Sequence, residues 1–134
     1  MCIRDSNNRS AMLRLPQSRF CIENRAADMC MNAYLALGLS AAAITEGVVN
    51  NYDAGQPLNE DLYSMSEEAI VGSGAQRLPR NLLEAIEILR TDELARKVLG
   101  DDMMASYLRY KTDEWERYHQ AITDWEVEEY LRLY

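Results

Sequence analysis

Two short alternating runs on either side of a Pro-Gln-Ser turn constrain this chain more than any other feature. Residues 8–25 read Asn-Arg-Ser-Ala-Met-Leu-Arg-Leu-Pro-Gln-Ser-Arg-Phe-Cys-Ile-Glu-Asn-Arg and carry four arginines and one carboxylate. In an extended strand, side chains alternate between two faces. The second run then sends Arg19, Cys21, Glu23 and Arg25 to one face, with Phe20 and Ile22 on the other. In the first run Ala11, Leu13 and Leu15 form an apolar face opposite Ser10, Met12 and Arg14. With its apolar side covered, such a hairpin holds up a surface of guanidinium groups with one acid among them. The planar guanidinium fork binds phosphate and carboxylate in bidentate fashion, and the acid suits a divalent cation that travels with phosphate. A solvated strand face carrying incidental ion pairs accounts for the same spacing, and on spacing alone it is the better reading.

At 134 residues the chain is long enough for one domain with a buried core. Its net charge of −8 argues against nucleic acid as a partner, since phosphate contacts need a basic surface. The acid is concentrated after residue 84, away from the arginines, so the overall balance says little about an anion held by the hairpin. The stretch Met29 to Ile44 is apolar but consists mostly of Ala, Ser and Gly, contains Asn32, and lies between Asp28 and Glu46. That is short and weakly hydrophobic for a bilayer span of about 20 residues. A helix buried inside a globular protein is expected, with no membrane partner. Cys21 and Cys30 have neither paired spacing nor nearby histidines, which leaves no zinc site and no disulfide framework. A reducing cytoplasm is the expected location, and no signal peptide is expected.

The hairpin is expected to end near Arg25. Asp28 can cap a helix running to about Glu46, with Gly47 suited to the left-handed position that ends it. Ala33, Ala36, Gly38, Ala41, Ala42 and Ala43 put small residues on every face of that helix, as for close packing under a sheet. Residues 48–80 read as an irregular excursion with a helical turn at Ser66 to Ile70. Asn81 with Glu84 starts a helix to about Leu89. Thr91 or Asp92 starts another, closed by Gly100. Asp101 precedes a long amphipathic helix with Met104, Leu108, Trp115, Tyr118 and Ile122 on one face. Thr123 and Glu126 form a capping box ahead of a final helix. The expected class is α+β: an N-terminal β-hairpin followed by a mainly α-helical region, without repeats or a second domain.

Several of these residues also carry a family likeness. Asn8-Arg9-Ser10, Arg14-Leu15-Pro16, Ile22-Glu23-x-Arg25, Asp28 and Asn32-x-Tyr34-Leu35 together resemble the C-terminal part of the catalytic domain of glutamine synthetases. The likeness continues through Asn59-Glu60-Asp61-Leu62-Tyr63, the Leu78-Pro79 step and the closing segment from Tyr107 to Tyr134, so it covers residues 7–134. Met1 to Ser6 match nothing in that family; they read as a translated sequencing adapter and are set aside as a scar. The resemblance implies the last third or so of a longer ATP-dependent ligase that joins the side-chain carboxylate of glutamate to ammonia.

It also implies roles. Arg9 stands where the family has the arginine that contacts the transferred phosphate, and Arg14 where an arginine holds the nucleotide phosphates. Glu23 matches a carboxylate ligand of a divalent ion at the ATP site, Mg²⁺ or Mn²⁺. Arg25 matches the arginine that binds a carboxylate of the glutamate substrate. Such parts suit phosphoryl transfer, in which the protein mainly positions groups and neutralises charge. Each also has a plainer reading, as a loop or strand-surface arginine or, for Glu23 and Arg25, as a mutually neutralising pair.

There are departures from the family pattern. Many members carry an arginine two positions before the metal glutamate, where this chain has Cys21. Arg19, on the same strand face, is a candidate to reach the phosphates instead, or a spectator. The loop between Arg14 and Glu23 is shorter than in well-known bacterial enzymes, and Ala33 replaces the usual proline of the Asn-Pro-Tyr-Leu run. These differences point to a divergent branch, whose members use methylamine, a polyamine or another amine in place of ammonia. Tyr63 aligns with a tyrosine adenylylated in one branch and is read here as structural. The family implies a homo-oligomer with active sites between subunits, and a piece that cannot catalyse without the upstream metal carboxylates, ammonium-site acid and flap glutamate. A guanidino kinase, a non-catalytic paralogue and an acidic helical interaction module are the rival readings. His119 is expected at the surface or in packing, Trp115 and Trp125 as packing anchors, and Glu114 to Glu129 as a solvated helix face.

Overall fold

A computed structural model of the chain describes residues 10–16, 18–55, 61–131 and 133. Met1 to Ser6, Arg9, Gln17 and the Asn59-Glu60 pair lie outside the described residues. The chain divides into two compact units, with the boundary between Leu78 and Pro79.

In the first unit, β1 (Leu13–Arg14) and β2 (Glu23–Asn24) form an antiparallel ladder with Leu13 opposite Asn24 and Arg14 opposite Glu23. One more bond, from the Arg25 N–H to the Met12 carbonyl at 2.8 Å, prolongs it. The pairing is far shorter than the alternating runs that predict it. Pro16 lacks an N–H for the ladder, and the chain from Ser18 to Phe20 turns and bends instead of extending. Phe20 and Ile22 are consequently exposed, so the covered apolar face expected of the second run is not formed by the described residues. From the first run Ala11 is buried. The Ser10 hydroxyl accepts the Leu62 N–H at 3.1 Å and ties the start of the hairpin to a distant segment.

Helix α1 (Ala33–Val49) starts later than expected. Its cap is Asn32, whose side-chain oxygen accepts the N–H groups of Tyr34 and Leu35. Asp28 is used elsewhere: its carboxylate accepts the Cys30 N–H at 2.6 Å and its carbonyl the Met31 N–H at 3.1 Å, closing a separate turn. The helix also runs through Gly47, and the left-handed residue beyond its end is Asn51, with φ 50°. No residue of α1 is buried, and Tyr34, Leu37, Val48 and Val49 are largely exposed. The layer that a helix apolar on every face requires is not supplied by the described residues.

A 3₁₀ turn (Leu62–Ser64) capped by Asp61 leads to α2 (Glu67–Gly72), capped by Ser66. Ile70 of α2 is buried. Tyr63, expected to be structural, is exposed.

The second unit contains α3 (Leu82–Thr91), α4 (Glu93–Leu99), α5 (Asp101–Gln120) and α6 (Asp124–Tyr130). Asn81 caps α3 by accepting the Glu84 N–H, while Glu84 reaches back to the Arg80 N–H. Asp92 caps α4 through the Ala95 N–H at 2.7 Å, and Gly100, with φ 74°, makes the corner into α5. Helix α5 packs on both α3 and α4, and Ile86, Ala95, Met104 and Leu108 are the buried centre of this unit. The expected stripe leaves that centre after Leu108. Trp115 is half-buried, Tyr118 is exposed, and Ile122 lies beyond the end of α5 and is exposed. His119 stacks on Trp115, with ring centroids 3.7 Å apart and Nδ1 2.9 Å from the Trp115 carbonyl oxygen. The Thr123–Glu126 capping box forms as expected. Trp125 is exposed, and its ring contact is with Tyr130 on its own helix. Hairpin first and helices after is the architecture expected of an α+β chain. Among the described residues no helix is long and apolar enough to cross a membrane.

Candidate functional site

The carboxylate of Glu23 is the centre of the hairpin's charged cluster. Arg14 stands directly across the ladder and donates Nη1 to Oε2 at 3.2 Å. Arg19 donates Nη2 to Oε1 at 2.5 Å. In a fully extended strand, residues four apart are roughly 13 Å apart, too far for this contact along one pleated face. A tight turn in which the Cys21 N–H bonds to the Arg19 carbonyl at 3.1 Å shortens the run and brings the Arg19 side chain onto Glu23. The pair formed by Arg14 and Glu23 is partly sheltered, with side chains 26% and 25% exposed, whereas Arg19 is 65% exposed.

These contacts set the electrostatics. The hydrogen bond from Arg19 is the main cause that holds the Glu23 carboxyl below its ordinary value of 4.5; the bond from Arg14 and both positive charges act in the same direction, and partial burial opposes them. The carboxylate is therefore an ionised acceptor with a guanidinium on each oxygen.

Arg25 follows β2 in a turn where the Ala26 N–H bonds to the Asn24 side chain, and its own side chain is exposed. Glu23 is thus paired with Arg14 across the ladder and with Arg19 from the turn. Arg9 lies outside the described residues. Cys21 is a half-buried free thiol and Cys30 an exposed one. The direct contact between Arg14 and Glu23 is the feature that alternation within each run does not reveal. Its signal in the sequence is the spacing of the two residues about the turn after Pro16.

Among the described residues no group of three or more His, Cys, Asp or Glu side chains could hold a metal ion. A self-sufficient protein cage is therefore not present there. Mg²⁺ is commonly held by one or two carboxylates together with substrate phosphates and water, and a single carboxylate beside guanidinium groups, which can themselves accept phosphate, has a donor set compatible with an ion held in that way. The second unit has a groove of about 650 Å³ floored by Met104 and Leu108 and rimmed by Arg90, Arg96, Arg109 and Glu116. Its rim is of mixed charge, and Arg96 is held by Asp101 at 2.8 Å.

The cluster sits in a chain with clear relatives. The family model for the glutamine synthetase catalytic domain matches residues 5–130. The glutamate–methylamine ligase of Methyloversatilis universalis is 41% identical over 128 residues, which covers 96% of this chain and 28% of that protein. The glutamine synthetase of Clostridium saccharobutylicum is 35% identical over 130 residues, covering 95% of this chain and 29% of that protein. Two solved structures share the fold: GmaS without ligand, with a TM-score of 0.75 at 34% identity over 93% of this chain and 28% of that one, and the GmaS/ADP complex, with a TM-score of 0.78 at 34% identity over 94% and 28%. The chain thus spans less than a third of the length of these relatives. With the helical order, the hairpin and the match along nearly its whole length in agreement, the chain belongs to the glutamine synthetase family and corresponds to a part of that family's catalytic domain.

Proposed function

We propose that the protein carrying this chain is an ATP-dependent ligase that joins the side-chain carboxylate of glutamate to an amine, with ammonia as the family's common choice. The observation that carries the reading is the Arg14–Glu23–Arg19 cluster on a hairpin within a matched catalytic domain. A carboxylate is a poor electrophile at neutral pH, so it must first be phosphorylated; the amine then adds to the carbonyl carbon and phosphate leaves. Arg14 and Arg19 hold the nucleotide phosphates, and Arg9 contacts the phosphoryl group in transfer. Arg25 holds a carboxylate of glutamate and fixes the reacting end in place. Glu23 supplies one oxygen to Mg²⁺ or Mn²⁺, which when bound neutralises phosphate charge. The remaining parts of the site come from outside this chain, in a cytoplasmic homo-oligomer without nucleic-acid or membrane partners.

A second reading names methylamine as the amine, and the 41% identity to a glutamate–methylamine ligase favours it. Turnover of ammonia, methylamine and polyamines by the complete protein decides between the two. In the same protein Glu23→Ala is expected to raise the Mg²⁺ requirement and collapse turnover while the fold survives; undiminished activity refutes the assignment. Arg25→Ala is expected to weaken glutamate far more than ATP. Equal loss for both substrates would mean that Arg25 only supports the hairpin.

A further inference from the structure

We propose that Arg19 is a positioning residue that occupies an oxygen of Glu23 until nucleotide phosphate draws it away, so that nucleotide and divalent ion bind synergistically. The inference rests on the reading of Glu23 as a metal ligand and of the arginines as phosphate ligands, and adds to it how the two events are coupled.

Both oxygens of Glu23 are taken, Oε2 by Arg14 and Oε1 by Arg19. A divalent cation coordinates such an oxygen directly, at roughly 2.0–2.1 Å for Mg²⁺. A guanidinium hydrogen-bonded to the same oxygen would face it as a like charge at close range. One arginine has to leave. Arg14 is the poorer candidate: it is fixed on β1 directly across from Glu23, and its side chain is mostly covered. Arg19 stands outside both strands, on the turn that Cys21 closes, and most of its side chain is in solvent. Its release disturbs no ladder bond and uncovers little surface. A phosphate offers the departing guanidinium an acceptor of the same planar match. The exchange therefore trades an arginine–carboxylate pair for an arginine–phosphate pair and a carboxylate–metal bond. Coupling of this kind is reciprocal, so the nucleotide strengthens metal binding by the same factor that the metal strengthens nucleotide binding. Ion pairs as exposed as this one are worth about two- to fivefold in an equilibrium.

The test is Mn²⁺ binding to the complete protein, read by electron paramagnetic resonance with the metal alone and with added ADP. It is made on the parent and on Glu23→Gln, Arg19→Gln and Arg19→Lys, with circular dichroism to confirm that each variant is folded. Glu23→Gln identifies the relevant site as the one it removes. At that site Arg19→Gln is expected to bind Mn²⁺ alone about two- to fivefold more tightly than the parent, and the gain on adding ADP is expected to shrink by the same factor. Arg19→Lys, which keeps a cation without the planar fork, is expected to fall between. Unchanged or weaker Mn²⁺ binding in Arg19→Gln without ADP overturns the exchange and leaves Glu23 as a ligand. If Glu23→Gln removes no Mn²⁺ site, it is the underlying functional reading that fails.

Discussion

Gly100 offers the cleanest test of how the second unit is held together. It joins α4 to α5 at φ 74° and ψ 161°, a region of backbone space essentially reserved for glycine. Its N–H bonds to the Arg96 carbonyl at 2.9 Å and its carbonyl accepts the Met104 N–H at 3.0 Å, so the corner ends one helix and starts the next. A Cβ built at this position meets nothing within 4 Å. The cost of Gly100→Ala is therefore conformational, without a steric part. Strain of this type costs about 1–3 kcal/mol, and the stiffer unfolded chain returns about 0.4–1 kcal/mol, leaving a net loss of about 1–2 kcal/mol. The loss falls on the packing of α5 against α3 and α4 around Ala95, Met104 and Leu108. Hydrogen exchange of the α5 amides in the complete protein reads it directly, as exchange roughly five- to thirtyfold faster in the variant. D-alanine at position 100, introduced by semisynthesis, carries the same methyl group with the opposite backbone preference. It is expected to exchange no faster than the parent. If L-alanine is harmless, or if the two enantiomers are equally harmful, the reasoning is wrong.

Two further expectations follow from packing and charge. Met104 is 1% exposed at the contact of α5 with its neighbours, so Met104→Ala is expected to destabilise this unit by about 2–5 kcal/mol; a loss below about 1 kcal/mol in exchange-monitored opening would mean that the cavity collapses or that Met104 is not packed as described. Because the folded Glu23 carboxyl titrates below 4.5, its ion pairs stabilise the hairpin fully above that pH, and the contribution is lost as pH falls through the lower folded value. An NMR titration of the Glu23 carboxyl carbon should have its midpoint below 4.5, with Arg19→Gln and Arg14→Gln each raising it; a parent midpoint at or above 4.5 contradicts the geometry.

What the sequence makes legible here is set by how local the cause is. The caps at Asn81, Asp92 and Thr123 and the corner at Gly100 depend on groups within a few residues, and each is visible as a residue type at a fixed offset. The start of α1 is less legible because Asp28 and Asn32 are both competent caps, and an Asp that closes a side-chain turn looks in the sequence like one that caps a helix. Strand length is less legible still. Alternation from Ser10 to Arg25 predicts two extended faces, but pairing needs a partner in register, and the bends around Phe20 limit the ladder to Leu13–Arg14 and Glu23–Asn24. The hydrophobic stripe of α5 is real only as far as α3 and α4 reach, which is why Met104 and Leu108 are buried and Ile122 is not. In the candidate site the identities of Arg14, Arg19 and Glu23 are readable, whereas the arrangement of two guanidiniums on one carboxylate comes from a register and a turn.

That arrangement also explains why an acidic chain can present a site for anions. Arg14, Arg19 and Arg25 against Glu23 leave two positive charges in this short stretch, within a chain of net charge −8. On the proposed reading, a divalent cation arriving alone meets two guanidiniums at its only nearby carboxylate among the described residues of the hairpin. A polyphosphate arriving alone meets the carboxylate. Arriving together, each removes the other's obstacle: phosphate takes up Arg19, and the metal takes up the oxygen that Arg19 leaves. A cluster whose acid is capped by arginines when empty thus favours a metal–nucleotide complex over either component. Because Arg19 is the exposed member, this preference should weaken as added salt screens its pairing.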